Sequence, residues 1–218
     1  MTRKLALALV AATALAATGT AALADEAFVP KEAGHIMLQM RVTDVAPDAG
    51  NAIKTSAGAA TGLNADVSDS YVPTLGIDYF FTDHVAAELV LGTSYHKVKA
   101  TGTGVNVEAY DTWVIPPVLT LQYHFAPKAR FSPYVGAGVN YMIFYSGKNK
   151  NGFTTKLDDG FGAALQAGFD YGLGGRWSAN VDVKKVFFNT KASINGGALT
   201  SSVDLDPWVV SAGVGYKF

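Results

Sequence analysis

Apolar residues alternate with polar or small residues, with a period of two, in eight segments of the chain. The last segment, residues 208–218, has the clearest pattern and ends on Phe218. Successive side chains of a β-strand point to opposite faces, so this pattern indicates strands that each place one face in an apolar medium. The predicted strands cover residues 36–43, 71–81, 85–92, 113–125, 135–143, 161–171, 177–187 and 208–218.

The connections between these strands alternate in length. The three short connections lie near residues 82–84, 126–130 and 172–175. The other four connections between the eight strands are longer, so both chain ends lie on the side of the short turns. This arrangement is typical of outer-membrane barrels with short periplasmic turns and longer extracellular loops. The four longer connections, rich in polar residues, glycine, serine or threonine, lie at residues 46–70, 96–111, 146–157 and 189–202.

Aromatic residues share the apolar face of these strands and mark both of its ends. Trp177 is ten residues from Phe187, and Trp208 is ten residues from Phe218. At ~3.3 Å per residue and a tilt near 40°, that spacing spans ~25 Å, the height of the apolar band of a membrane barrel. A soluble barrel or sandwich would turn its apolar faces inward and would have no need of two aromatic rims. The sequence therefore predicts an all-β fold, an eight-stranded antiparallel transmembrane up-and-down β-barrel.

The first 24 residues have the pattern of a cleaved signal peptide. Arg3 and Lys4 precede an apolar run that ends in small residues, and residues 22–24 fit an A-x-A cleavage site. We expect a signal peptide at residues 1–24 and the barrel at residues 25–218. Export together with the strand pattern predicts location in the outer membrane of a Gram-negative-type cell, among outer-membrane lipids.

Composition excludes several other classes of function. The chain has no cysteine and a formal net charge of -1, so we expect no disulfide, no thiolate site and no nucleic-acid partner. The four histidines show no metal-ligand spacing, and we predict no metal, no cofactor and no catalytic residues.

The face opposite the apolar one is expected to line the lumen, in two tiers. The interior of an eight-stranded barrel is just wide enough for side chains to fill, and buried charges are stable only when paired. Toward the short turns we predict a polar interior plug of paired charges, formed by Arg41, Asp78, Glu88, His124, Asp170, Asp182 and Lys184. Toward the long loops we predict an apolar lumen lined by Val72, Val90, Val114, Val118, Met142, Phe144 and Val186.

Three motifs stand out in the second half of the chain: PPVLTLQYHF at residues 116–125, SPYVGAGVNY at 132–141 and DPWVVSAGVGYKF at 206–218. They resemble motifs of the OmpW family of outer-membrane proteins, in the same order along the chain. The resemblance implies an eight-stranded barrel with a hydrophobic lumen that passes small hydrophobic molecules, with lateral release into the membrane, and it implies no catalytic site. The terminal Phe218 is similar to the signal that the outer-membrane insertion machinery reads.

We therefore predict a channel or pocket for passive uptake of small hydrophobic molecules. One alternative is a structural or receptor barrel whose long loops dock partners. A second is a lipid-modifying outer-membrane enzyme, for which Ser94 and His96 are a candidate pair two residues apart on one face, without an evident acidic partner.

Overall fold

Fifteen strands and one short 3-10 helix make up the chain in a computed structural model that describes residues 27–218. The predicted signal peptide lies outside the described residues. Within the described residues, no helix is long and apolar enough to cross a membrane. The strands are β1 (Ile36–Ala46), β2 (Ala52–Thr55), β3 (Ala60–Val67), β4 (Ser70–Phe80), β5 (Val85–Gly92), β6 (Ser94–Gly102), β7 (Val105–Ile115), β8 (Val118–His124), β9 (Phe131–Asn149), β10 (Thr155–Leu157), β11 (Gly160–Gly174), β12 (Trp177–Phe187), β13 (Asn189–Ile194), β14 (Leu199–Asp204) and β15 (Trp208–Lys217).

Eight of these strands close into an antiparallel barrel, in the order β1, β4, β5, β8, β9, β11, β12, β15. The first and last strands pair along almost their whole length, with Met40 opposite Val214. Sequential strands pair directly, as a barrel of up-and-down topology requires. The predicted fold class is confirmed.

The outer face of the barrel carries the apolar series of every strand. Met40 and Phe161 are 69% and 79% exposed, although both lie within barrel strands. Aromatic rings contact each other at the short-turn end, where the centroids of Trp177 and Tyr216 are 4.8 Å apart. A continuous exposed apolar surface of this kind is stable in contact with lipid rather than water.

The four long connections contain strands of their own, which the sequence analysis did not predict. They fold into an open sheet beyond the barrel, in the order β10, β13, β14, β2, β3, β6, β7, β9, which we call the outer sheet. The larger apolar residues of these segments, such as Ile53 and Ile194, are separated by glycine, alanine and polar residues, so no long alternating pattern revealed the strands. The outer sheet packs around a buried cluster of Ile53, Ala65, Ala100, Ala192, Ile194 and Val203.

The predicted fourth strand, residues 113–125, is also interrupted. Pairing between neighbouring strands stops at Val90 and Val118 and resumes at Ser94 and Val114. Between Val114 and Val118 lie Pro116 and Pro117. Proline has no backbone N–H, so neither residue can donate a hydrogen bond to the neighbouring strand. Three residues on each side therefore face each other without ladder pairing, and we call this the wall gap: Leu91, Gly92 and Thr93 opposite Ile115, Pro116 and Pro117.

The described residues before β1 cross the short-turn end of the barrel. The backbone N–H of Val29 donates to Gly175 O over 2.8 Å, and that of Lys31 donates to Pro127 O over 3.1 Å. These bonds tie the segment to two different turns, and they direct the Lys31 side chain into the lumen, where it is 2% exposed.

Candidate functional site: the interior of the barrel

Glu88 lies at the centre of a polar cluster in the short-turn half of the barrel. Its Oε1 is 2.6 Å from Arg41 Nη2, and its Oε2 is 3.0 Å from Lys184 Nζ. Gln166 Nε2 donates to the same Oε2 over 2.7 Å. The side chains of all three charged residues are at most 2% exposed, so their charges are balanced by each other and not by water.

Asp182 extends this cluster on the opposite side of Lys184. It accepts hydrogen bonds from Lys184 Nζ over 2.5 Å, from Gln166 Nε2 over 2.6 Å and from Tyr134 OH over 2.8 Å. A carboxylate with several donors is stable in a region without water. We call the whole polar cluster the plug; it comprises Lys31, Gln39, Arg41, Asp78, Glu88, Gln122, His124, Tyr134, Gln166, Asp170, Asn180, Asp182 and Lys184.

Lys31 occupies the end of the plug nearest the short turns. Its Nζ lies 2.6 Å from Asp170 Oδ2 and 2.9 Å from both Ser132 Oγ and His124 Nδ1. An ammonium can only donate, so His124 Nδ1 accepts, and its Nε2 carries the hydrogen that is donated to Gln122 Oε1 over 3.0 Å. The N-terminal segment and the barrel wall are thus joined inside the lumen.

The seven residues predicted for the polar plug all lie in it and are all buried: Arg41, Asp78, Glu88, His124, Asp170, Asp182 and Lys184. The period-two rule indicated these positions. The same alternation places Tyr134 on the lumen-facing side of β9 together with Asn140, although Tyr134 was not predicted as a plug residue. Lys31 was missed because it precedes the strands, where no alternation exists to reveal it.

Above the plug lies a cavity of about 50 Å³, which we call the inner chamber. Thr43, Ser211 and Lys184 are among the polar residues on its lining. Thr43 Oγ1 lies 2.7 Å from Thr74 Oγ1 and 2.9 Å from Ser211 Oγ, so these hydroxyls satisfy one another. Most of the remaining lining is apolar, including the predicted residues Val72, Val90, Val118, Met142 and Val186.

A second cavity of about 70 Å³, the outer chamber, lies inside the outer sheet. The predicted residues Val114 and Phe144 border it, and Met142 borders both chambers. The sequence did not indicate the part of the outer chamber that the outer sheet contributes, because those segments were interpreted as loops. Five residues border both cavities and therefore form the junction between them: Val45, Ser94, Pro116, Met142 and Pro207.

The wall gap borders the inner chamber. Gly92, Thr93 and Pro116 are part of both the gap and the chamber lining. On the outside, Leu91 and Ile115 are exposed on the lipid-facing surface. Only side chains and unpaired strand ends therefore separate the inner chamber from the lipid at this point.

Ser94 and His96 are in contact inside the outer chamber. His96 Nε2 is 2.8 Å from Ser94 Oγ, but Nδ1 faces the backbone carbonyl of Ser68 at 2.7 Å instead of a carboxylate. The pair therefore lacks the acidic third residue of a hydrolase triad. Among residues 27–218, no group of three or more histidine, aspartate or glutamate side chains is placed to hold a metal ion.

Comparison with known proteins places the chain among outer-membrane barrels. The profile of the OmpW family matches residues 32–218. The outer-membrane protein y4mB of Sinorhizobium fredii is 46% identical over 167 residues, 75% of this chain and 72% of that protein. Outer membrane protein W of Vibrio cholerae is 31% identical over 212 residues, 91% of this chain and 95% of that protein. The crystal structure of OprG from Pseudomonas aeruginosa superposes with a TM-score of 0.81 at 33% identity, over 87% of this chain and 98% of that one.

The position of Glu88 between two cations generates a prediction about stability. Glu88→Gln leaves Arg41 and Lys184 without their shared countercharge and should lower the free energy of unfolding by about 3–5 kcal/mol. The matched control is Glu108→Gln, because Glu108 pairs with Lys97 at 3.3 Å where both side chains are partly exposed; that change should cost about 0–1 kcal/mol. Urea unfolding in lipid vesicles measures both, and equal losses would contradict this account of the plug.

Proposed function

The chain belongs to the OmpW family of outer-membrane proteins, and on that basis we propose that it is a channel for passive uptake of small hydrophobic molecules. The observation that carries the proposal is the division of the lumen into apolar chambers above a buried, ion-paired plug. The solute enters from the extracellular end, leaves water in the outer chamber and moves into the inner chamber.

The chemistry of the chambers favours apolar solutes over ions and sugars. Val114 and Phe144 border the outer chamber, and Val118 and Val186 border the inner one. Moving apolar surface from water to such a lining is favourable by about 25 cal/mol per Å². A sugar or a hydrated ion would instead lose most of its hydration and gain only the few polar partners on these linings.

The plug argues against a straight route to the periplasm. A solute on that route would have to separate Arg41 and Lys184 from Glu88, and Lys31 from Asp170. Breaking a buried pair costs about 3–5 kcal/mol, and a hydrophobic molecule offers no replacement for the lost bonds.

We infer that the exit is lateral, through the wall gap. Pro116 and Gly92 border both the gap and the inner chamber, so the gap is the short way from the chamber to lipid. A hydrogen bond of 2.8 Å between the hydroxyls of Thr93 and Tyr145 bridges the gap region on the outside. Opening there breaks side-chain contacts only, whereas elsewhere in the wall it would break ladder hydrogen bonds that lipid cannot replace.

Placing a carboxylate in the chambers tests the uptake route. Val118→Asp and Met142→Asp should reduce uptake of radiolabelled toluene to the level of cells without the protein, because each puts a hydrated charge in an apolar cavity. Initial rates in intact cells measure this, with Ala60→Asp, on the exposed surface of β3, as the matched control. If the Asp variants fail to fold, Val118→Thr takes their place, because threonine has nearly the size of valine. This variant should lower the rate of toluene uptake partially. Unchanged uptake in folded Val118→Asp and Met142→Asp would rule out the chambers as the route.

Locking the wall gap tests the exit. The chain has no cysteine, so Thr93→Cys with Ile115→Cys introduces a single possible disulfide across the gap without filling the inner chamber. Oxidation should reduce toluene uptake to the level of cells without the protein, and reductant should restore it. The control pair Leu89→Cys with Leu119→Cys lies in the intact ladder between β5 and β8, next to the gap, and should have no effect. Equal uptake by the oxidised and reduced gap variant would contradict lateral exit.

A further inference from the structure

Ser94 is the polar side chain among the five residues at the junction of the two chambers. It is 2% exposed, and His96, which contacts it, is 5% exposed. The other four junction residues are Val45, Pro116, Met142 and Pro207. A solute that moves from the outer to the inner chamber therefore passes Ser94.

The hydrogen bonds around His96 determine what Ser94 can offer a solute. The carbonyl oxygen of Ser68 can only accept, so His96 Nδ1 carries the ring hydrogen and donates it over 2.7 Å. In the neutral ring, Nε2 is then an acceptor, and the Ser94 hydroxyl donates to it over 2.8 Å. The hydrogen of Ser94 is thus used within the protein, and its oxygen retains lone pairs that can accept a hydrogen bond.

Three other hydroxyls on the outer-chamber lining are used in the same way. Thr112 Oγ1 donates to Trp113 O over 3.2 Å, Thr190 Oγ1 donates to Asp158 O over 2.8 Å, and Ser201 Oγ donates to Ala52 O over 3.3 Å. Each of these hydroxyl hydrogens has a backbone acceptor. These three hydroxyls, like that of Ser94, therefore favour a solute that brings its own hydrogen-bond donor.

Thr155 provides a separate indication that the outer chamber accommodates a polar group. Its side chain borders the chamber and is 8% exposed, and its Oγ1 has no hydrogen-bond partner among the described residues. Buried hydroxyls without a partner are uncommon, because each loses its hydration without compensation. A ligand with one polar group would supply the missing bond.

We propose that Ser94, whose hydroxyl donates to His96, is a binding subsite for small alcohols and phenols; this proposal rests on the proposed uptake function. The solute's O–H donates to Ser94 Oγ, while its hydrocarbon part contacts Val45, Met142 and the prolines of the junction. Hydrocarbons and ethers of the same size enter the chambers but make no such bond.

The volume of the two chambers suits a single aromatic ring. The chambers are about 70 and 50 Å³ and share five lining residues. An apolar cavity of ~150 Å³ binds benzene, and the two chambers together are of the same order but somewhat smaller. A single ring would therefore have to occupy the junction and both chambers at once.

Lys99 is a competing partner for the polar group, because it also borders the outer chamber. Its ammonium would donate to a solute and would therefore bind an ether oxygen or a carboxylate as well as a phenol. The two partners thus predict different selectivities, which makes Lys99→Met an informative variant.

Titration of phenol and its methyl ether, anisole, onto the full chain in lipid nanodiscs tests the subsite. The reporter is the methyl signal of Met142 at the junction, and the lipid-facing Met40 corrects for partition into lipid. We expect phenol to bind about three- to tenfold more tightly than anisole, the effect of one neutral hydrogen bond. Ser94→Ala should remove this preference, Ser94→Thr should retain it, and Lys99→Met should leave it unchanged.

Three results would overturn the subsite. Equal affinities for phenol and anisole in the unmodified chain would refute it and leave the apolar uptake route intact. A preference that survives Ser94→Ala but disappears in Lys99→Met would assign the bond to Lys99. If neither compound shifts Met142 beyond the change at Met40, both the subsite and the proposed function are wrong.

Discussion

The burial of ionic groups inside the barrel is the constraint from which the rest of the interior follows. An eight-stranded barrel is filled by its own side chains, and charges in that space are stable only in pairs. Glu88 satisfies this condition by binding Arg41 and Lys184 at once. Because Lys31 of the N-terminal segment joins the same plug through an ion pair with Asp170, this segment helps to close the short-turn end of the lumen.

The plug closes the short-turn half of the lumen, so the half toward the long loops cannot be part of a straight aqueous channel. The apolar residues above the plug have no continuous aqueous path to line, and the structure divides the space into two small chambers that meet at Ser94 and Met142. Beside the inner chamber the ladder of the barrel wall is interrupted at Pro116 and Pro117. In the proposed function the plug and the gap are complementary, since one blocks the axial route and the other offers a lateral one.

The barrel and its two tiers could be predicted from sequence because each strand repeats the same physical requirement. Lipid on one side and a crowded lumen on the other force the period of two, which identified Arg41, Glu88 and Val118 as inward-facing. The requirement does not extend to the outer sheet, where Ile53 and Ala65 sit in short strands without a lipid face. Nor does it reveal the wall gap, because the alternation continues in phase through Pro117 although proline cannot donate to the ladder.

The chemistry of individual contacts was the least predictable part. Ser94 and His96 were visible as a pair two residues apart, but the carbonyl of Ser68 that fixes the direction of their hydrogen bond comes from a distant segment. The same holds for Lys31, whose partners Ser132 and Asp170 lie about a hundred residues or more along the chain. Long-range pairing of this kind depends on strand register, which a single sequence does not contain.

In the proposed function, hydrophobic solutes occupy the chambers and do not pass the plug. Methyl NMR of the full chain in nanodiscs distinguishes these regions, because Met142 borders the chambers, Met37 is buried at the short-turn end and Met40 faces lipid. With toluene as the solute, we expect a saturable shift at Met142, no shift at Met37 and only a linear response at Met40. A saturable shift of Met37 comparable to that of Met142 would rule out the plug as a barrier.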